Sequence, residues 1–280
     1  MSAVRAVDGP PHFAVVPGGR DSPVILHVPH SSTRIPPQAR ASIVLDDAGL
    51  AEELRRMTDA HTELLARRAA AASGAAPWLF VNGLSRLVID PERFPNEREE
   101  MLEVGMGAVY TATSQRALLR EPDDDRDRAL IADYFDPYAA ALTDVVDERL
   151  RAAGHVVIID VHSYPRLPLP YERHAGDRRP QICVGVDADH TPRWLQNAAL
   201  RACRDLGEVV VNEPFQGTYV PLKHYGLDTR VSSLMVEIRR DLYLHEPGGE
   251  VHAGADAVVS ALSALISAAS SADPGGLDGG

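Results

Sequence analysis

The stretch Val156-Val-Ile-Ile-Asp-Val-His-Ser-Tyr-Pro165 constrains the fold of this chain more than any other. Four apolar residues, Val156 to Ile159, run directly into Asp160, Val161, His162 and Ser163, with Gly154 upstream and Pro165 downstream. A short apolar run between such breakers reads as a buried strand. In an open α/β sheet, polar groups at the carboxyl end of such a strand face the crevice where ligands bind. A lone histidine there is more often a core-edge group with a satisfied hydrogen bond than a ligand. The meaning of His162 therefore depends on whether other stretches bring partners to it.

The chain has 280 residues, 45% of them hydrophobic and 24% charged, which is ordinary for a soluble globular protein with a sizeable core. Its net charge of -12 argues against nucleic-acid binding, which needs a basic footprint, and gives no support for docking on an anionic membrane. Cys183 and Cys203 form no CxxC pattern, so a cysteine-based zinc knuckle is excluded and a reduced, cytoplasmic setting is expected. The N-terminus has no apolar segment of signal-peptide length, and no stretch approaches the length needed to span a bilayer. Nothing in the sequence specifies an oligomeric state.

Strand and helix patterns alternate along the chain. Phe13-Ala-Val-Val-Pro is a short edge-strand candidate, and Val24-Ile-Leu-His-Val28 is a strand running into Pro29-His30-Ser31-Ser32. Asp46 or Asp47 caps a predicted helix from about Ala48 to Ala72, with apolar positions Leu50, Leu54, Met57, Leu64 and Leu65 on one stripe. Trp78 to Val81 is a strand, Asn82-Gly83 a turn, and Arg86 to Asp90 is expected to resume extended structure. Residues 91–125 lack periodicity, as a binding loop or lid would, and their acidic run Asp123-Asp124-Asp125 reads as a solvated helix start. A helix follows from Arg126 to Ala153, then the opening strand, a Pro- and Arg-rich loop at 165–180, and a strand from Gln181 to Val186. A helix from Pro192 to about Leu206, a strand at Val209–Val211, a loop from Asn212 to Gly226, a strand from Ser232 to Arg239 and a helix from about Ala253 to Ala269 complete the pattern. This alternation predicts a single α/β domain over residues 1–270 with a mostly parallel sheet covered on both faces, and residues 271–280 form an expected flexible tail. No glycine-rich phosphate cradle follows any strand.

Four strand ends carry polar residues of the kind a hydrolytic metal site needs. They are His27 with His30, Asn82 through Arg86, Asp160 with His162, and Glu237 with Arg239. A catalytic zinc site takes three His or carboxylate ligands and leaves a position open for water. It also uses a carboxylate that accepts a proton from that water, and cations that hold developing or substrate charge. The competing reading is a non-catalytic α/β protein that binds an anionic metabolite. A serine or cysteine hydrolase is disfavoured, since no GxSxG elbow occurs and neither cysteine has a nucleophile context.

Five segments resemble, in order, the motifs of the N-formylglutamate amidohydrolase family. They are Pro29-His-Ser-Ser-Thr-Arg-Ile-Pro36, Asn82-Gly-Leu-Ser-Arg-Leu-Val-Ile-Asp-Pro-Glu-Arg93, Asp160-Val-His-Ser163, Glu213-Pro-Phe-Gln-Gly-Thr-Tyr219 and Val236-Glu-Ile-Arg-Arg-Asp-Leu-Tyr243. The resemblance covers about Val24 to Leu244. It implies a three-layer α/β/α fold with a mixed, mostly parallel central sheet, phosphorylase/hydrolase-like and similar to zinc carboxypeptidases and aspartoacylases. It further implies Zn2+ or another divalent metal, and hydrolysis of the N-acyl, expected N-formyl, amide of an acidic amino acid. The partner is then a small anionic N-acyl amino acid.

Carried over residue by residue, the resemblance makes His30 and His162 metal ligands. The carboxypeptidase pattern has an acidic ligand three residues after its first histidine, where this chain has Thr33, so Asp59 of Thr58-Asp-Ala-His-Thr-Glu-Leu-Leu65 is taken as the third ligand, with His61 and Glu63 as fallbacks. Glu237 becomes the general base. Arg86 is expected to hold a substrate carboxylate or polarise the scissile carbonyl, with Asn82 assisting. Arg93, Arg239 and Tyr219 are the further substrate-binding candidates. His27 is read as structural, and Asp160 as the carboxylate that orients His162.

Overall fold

Val156–Tyr164 forms strand β4, and all nine of its residues are buried. The computed structural model describes residues 11–172, 176 and 178–272. Around β4 stand β1 (Phe13–Val16), β2 (Val24–Val28), β3 (Trp78–Asn82), β5 (Ile182–Gly185), β6 (Val209–Val211) and β7 (Val231–Arg239). The helices are α1 (Pro37–Arg40), α2 (Asp47–Met57), α3 (Thr62–Ser73), α4 (Asp124–Leu130), α5 (Asp136–Ala153), α6 (Arg193–Cys203) and α7 (Ala255–Ser270). The strands form one sheet in the order β1-β3-β2-β4-β7-β5-β6. Strands β3, β2, β4 and β7 run parallel, as do β5 and β6, while β1 joins β3 and β5 joins β7 antiparallel. The sheet is mixed and mostly parallel with helices on both faces, as expected. Among the described residues no helix is long and apolar enough to cross a membrane.

Successive side chains of a strand point to opposite faces, and here the two faces have different fates. On one, Leu26, Val28, Val157, Ile159, Val161, Val236 and Ile238 pack against Leu65 of α3, Leu195 of α6 and Leu262 of α7. On the other, Ile25, Phe80, Val156 and Ile158 pack against Tyr138, Leu142 and Val146 of α5. Full burial of each such aliphatic side chain contributes roughly 1.5–3 kcal/mol. Toward the carboxyl ends of the strands this second face changes character: His27 follows Ile25, Asp160 and His162 follow Ile158, and Glu237 follows Met235. The register pairs His27 with Asp160 and His162 with Glu237, so a polar cluster forms at one end of one face.

Three local expectations are corrected. The single helix predicted from Ala48 to Ala72 is broken at Thr58–His61 into α2 and α3. The backbone N–H of Asp59 leaves the helical pattern to donate to His30 O at 3.0 Å, and His61 takes a left-handed φ of 65° before α3 begins. Both halves keep their apolar stripe, which is why the break is silent in the spacing. Arg86 to Asp90 is a turn and not a strand. Ser85 holds it by accepting from Leu87 N at 3.1 Å, while Val88 and Ile89 join one satellite core and Leu87 another. Helix formation after the excursion begins at Asp124 rather than Arg126, with Asp123 capping Arg126 N at 3.0 Å. From Asp273 onward the tail lies outside the described residues, as do residues 1–10 and, within the loop at 165–180, residues 173–175 and 177.

The excursion after β3 is pinned by two buried charges. Arg120 donates to Leu87 O, to Tyr110 O at 2.8 Å and to Ser42 Oγ at 3.0 Å, and burial pulls its guanidinium down to about 10. Glu53 of α2 accepts from Ser114 N at 2.5 Å and from its hydroxyl at 2.8 Å. Between these anchors the segment Asp90-Pro91-Glu92-Arg93 is held against the polar end of the sheet. Replacing Arg120 by Met leaves the Leu87 and Tyr110 carbonyls without a donor and is expected to cost about 2–4 kcal/mol. Urea unfolding measures this, and a midpoint unchanged from wild type contradicts it.

Candidate active site

Three side chains from distant parts of the chain meet above β4. The Nδ1 atoms of His30 and His162 stand 3.3 Å apart. Asp59 Oδ2 lies 3.1 Å from His162 Nδ1 and 3.7 Å from His30 Nδ1. All three residues are buried. Their far nitrogens also face carboxylates, His30 Nε2 at 2.9 Å from Asp90 Oδ1 and His162 Nε2 at 3.1 Å from Asp160 Oδ1. A neutral imidazole has one N–H. With that proton on Nε2, two Nδ1 lone pairs and a carboxylate oxygen are aimed at one point. Such an arrangement calls for a cation. An edge of roughly 3.3 Å is also that of a tetrahedron whose ligands lie about 2.0–2.1 Å from its centre. The donor set therefore fits a divalent metal. The fallbacks do not reach this point: His61 is exposed, and Glu63 pairs with Arg67 at 2.8 Å on the surface of α3.

The surrounding charges agree. Asp59, Asp90, Glu92, Asp160 and Glu237 bring five carboxylates to the cluster, and the arginines in contact with them, Arg86, Arg93 and Arg240, number three. Carboxylates outnumber the arginines facing them, and buried charge left uncompensated is strongly unfavourable. Burial opposes the charged form of Asp59 and Asp160, yet hydrogen bonds and charge from the histidines hold both below the usual carboxylate range. Asp90 is held well below it by His30 and Arg86 against the same burial. Burial lowers an imidazole, but the carboxylates around His162 draw it above its ordinary value. Glu237 behaves otherwise. Burial, with the charge of Asp59 adding, pushes its carboxyl up to about 7 against His162, Arg86 and Arg240. Its Oε2 is buried without a hydrogen-bond partner.

A cleft of about 910 Å³ opens over this cluster, lined among others by Arg86, Arg93, Tyr171, Phe215, Tyr219 and Glu237. Arg86 is mostly committed, donating to Asp90 Oδ2 at 2.8 Å and to Tyr110 Oη at 2.9 Å, with Nη1 3.8 Å from Asp59 Oδ1. Arg93 is less so: its nearest carboxylate oxygens, on Asp90 and Glu99, are each 3.7 Å away, and its Nε is buried without a partner. His27 lies beneath the cluster, 2.9 Å from Asp160 Oδ1 and 2.6 Å from Tyr138 Oη. Tyr219 packs its ring 5.0 Å from that of His27.

Two expected substrate residues are not brought to the cleft. Asn82 is buried with Nδ2 donating to Pro29 O at 2.8 Å and Oδ1 accepting from Leu84 N at 3.0 Å, so it braces the end of β2. Arg239 pairs with Asp241 at 2.8 Å and donates to Arg179 O. Strand alternation puts it on the face of Glu237, but β7 ends at Arg239 and the following turn swings Arg240 inward instead. Arg240 donates to Arg56 O at 2.8 Å and to Ser163 Oγ at 3.2 Å, with Nη2 3.4 Å from Asp59 Oδ1. Asp90 and Glu92 were likewise missed as site residues. Their signal was a dense polar run, Asp90-Pro-Glu-Arg93, directly after apolar Leu87-Val-Ile89. Tyr110 and Tyr138 had no sequence signal.

Comparison with known proteins agrees with this architecture. The crystal structure of N-formylglutamate amidohydrolase from Ralstonia eutropha matches with a TM-score of 0.75, covering 91% of this chain and 95% of that one at 23% identity. A gene product of Agrobacterium tumefaciens matches with a TM-score of 0.65, covering 92% and 94% at 20% identity. At these identities the likeness is one of fold. N-formylglutamate deformylase of Pseudomonas aeruginosa is 26% identical over 80% of this chain and 83% of its own length. The family model for N-formylglutamate amidohydrolase matches residues 22–244, which is most of the chain, and the protein belongs to that family.

Proposed function

We propose that this protein is a zinc-dependent amidohydrolase that cleaves the N-formyl amide of N-formylglutamate, with His30, Asp59 and His162 as metal ligands. The observation carrying this reading is the pair of imidazole Nδ1 atoms 3.3 Å apart beside the Asp59 carboxylate. The bound ion supplies Lewis acidity and brings the pKa of water toward neutrality. Glu237 accepts a proton from the attacking water as its oxygen bonds to the formyl carbon. It returns that proton to the glutamate nitrogen as the C–N bond breaks, giving formate and glutamate. Arg86 turns its positive charge toward the developing oxyanion while bracing Asp59 and Asp90. Arg93, without a short carboxylate partner, pairs with a substrate carboxylate, and the Tyr219 hydroxyl donates to the substrate. The small anionic substrate accords with an acidic protein whose cleft concentrates arginine. The two free, buried cysteines accord with a cytoplasmic setting.

A second reading keeps the centre and enlarges the acyl group, and the cleft volume of about 910 Å³ favours including it. Side-by-side turnover of formyl-, acetyl- and succinyl-glutamate separates the two; the formyl substrate is expected to give the highest kcat/KM.

His162→Ala is expected to abolish both stoichiometric zinc and hydrolysis of N-formylglutamate, measured by elemental analysis and formate release. Full activity in a metal-free preparation overturns the reading. Glu237→Gln is expected to retain zinc and lose about 10²–10⁴-fold in kcat. The base works deprotonated, so in the wild type kcat/KM rises with pH through the Glu237 pKa. That limb lies at or below about 7 because the cation favours the carboxylate, and it disappears in the Gln variant. Arg93→Met is expected to raise KM about ten-fold or more with a smaller change in kcat, and Lys does not restore the bidentate contact. An unchanged KM removes Arg93 from the substrate site.

A further inference from the structure

Behind the two proposed ligand rings, one carboxylate has no assigned work. Asp90 lies within hydrogen-bond distance of His30 Nε2, and Asp160 Oδ1 stands 3.1 Å from His162 Nε2. Glu92 remains. Its Oε2 lies 3.3 Å from His162 Nε2 and 3.6 Å from His30 Nε2. Its Oε1 lies 3.5 Å from His27 Nδ1 and is buried without a hydrogen-bond partner. Among the described residues it is the one carboxylate within 4.0 Å of the far nitrogens of both rings. The local chain is built to hold it there. Pro91 fixes φ between Asp90 and Glu92, and the backbone N–H of Glu92 donates to Asp90 Oδ1 at 3.2 Å.

We propose that Glu92 is a positioning residue for the metal centre, holding its Oε2 at ion-pair distance from the Nε2 atoms of both His30 and His162 and so constraining the angle between their rings. The inference rests on the metal reading given above. Asp90 and Asp160 each face one ring. Glu92 faces both, at their centroid separation of 5.1 Å and interplanar angle of 56°. That angle determines where the two Nδ1 lone pairs cross. The anion behind both rings also makes both Nδ1 atoms stronger donors, as carboxylates behind metal-binding histidines do. Asp90-Pro91-Glu92-Arg93 then contributes to the site three times over, with one carboxylate for one ring, one carboxylate for both, and a cation for the substrate.

The test is zinc affinity rather than turnover. Metal-free wild type, Glu92→Gln and Glu92→Asp are titrated with Zn2+ against a competing chromophoric chelator. Thermal unfolding of each metal-free protein establishes that it is folded. Glu92→Gln keeps the side chain's size and removes its charge; it is expected to raise the zinc Kd by about 10–100-fold. Glu92→Asp keeps the charge but shortens the reach, and is expected to weaken zinc as well. In the Co2+-substituted proteins the d–d bands of both variants are expected to shift, reporting altered ligand angles. Wild type that binds no stoichiometric zinc overturns the metal centre and the Glu92 assignment with it. Tight wild-type binding left unchanged by Glu92→Gln overturns the Glu92 assignment alone. Wild-type affinity and an unshifted Co2+ spectrum in Glu92→Asp show a bulk charge effect, and overturn the bridging geometry.

Discussion

Everything at the functional end of this molecule depends on three buried acceptors aimed at one point. Two histidine nitrogens and an aspartate oxygen repel one another when nothing positive lies between them. They stay together because the surrounding structure constrains them from behind. Asp90 and Asp160 orient the rings, Arg86 and Arg240 face Asp59, and the sheet fixes the backbone of His162. The hydrophobic layers serve this arrangement. They supply enough burial on both faces of the sheet for one end of one face to be given over to charge.

The neighbourhood of Glu237 obeys a different logic from that of Asp59, though both are buried carboxylates under the influence of the same histidine, His162. Asp59 is surrounded by donors and stays ionised. Glu237 sits at the end of β7 with an unpartnered oxygen, so burial dominates and it holds its proton more tightly than an ordinary carboxyl does. Environments that drive like groups apart in pKa are how one site comes to contain both a permanently ionised carboxylate and an exchangeable proton acceptor.

The strand ends were the most legible part of the chain. Buried parallel strands read as continuous apolar runs, so a histidine or glutamate at the close of one is conspicuous, and His30, His162 and Glu237 stood out for that reason. Asp59 was legible only through family resemblance, because the helix break that frees its side chain is set by a long-range bond to His30 O and leaves the apolar stripe intact. Alternation misassigned Arg239 because its rule stops applying where the strand stops, one residue before Arg240. Asn82 was misjudged for a related reason: a polar residue at a strand end can equally be spent on bracing the backbone. Asp160 was legible on its strand face, but Asp90 and Glu92 lie outside any strand or helix, where no periodicity tells which way a side chain points.

The break between α2 and α3 also bears on how the protein assembles. His30 and Asp59 are joined by a segment that carries α1 and α2, but His162 approaches them only after β2 has paired with β4 across more than a hundred intervening residues. Contacts of such long sequence separation carry a large chain-closure entropy and form late. The excursion bearing Asp90 must be clamped as well. The centre is thus no nucleus around which this chain folds, in the way that a zinc finger gathers around its ion. It is a finished product of the sheet, complete only once the whole topology has closed.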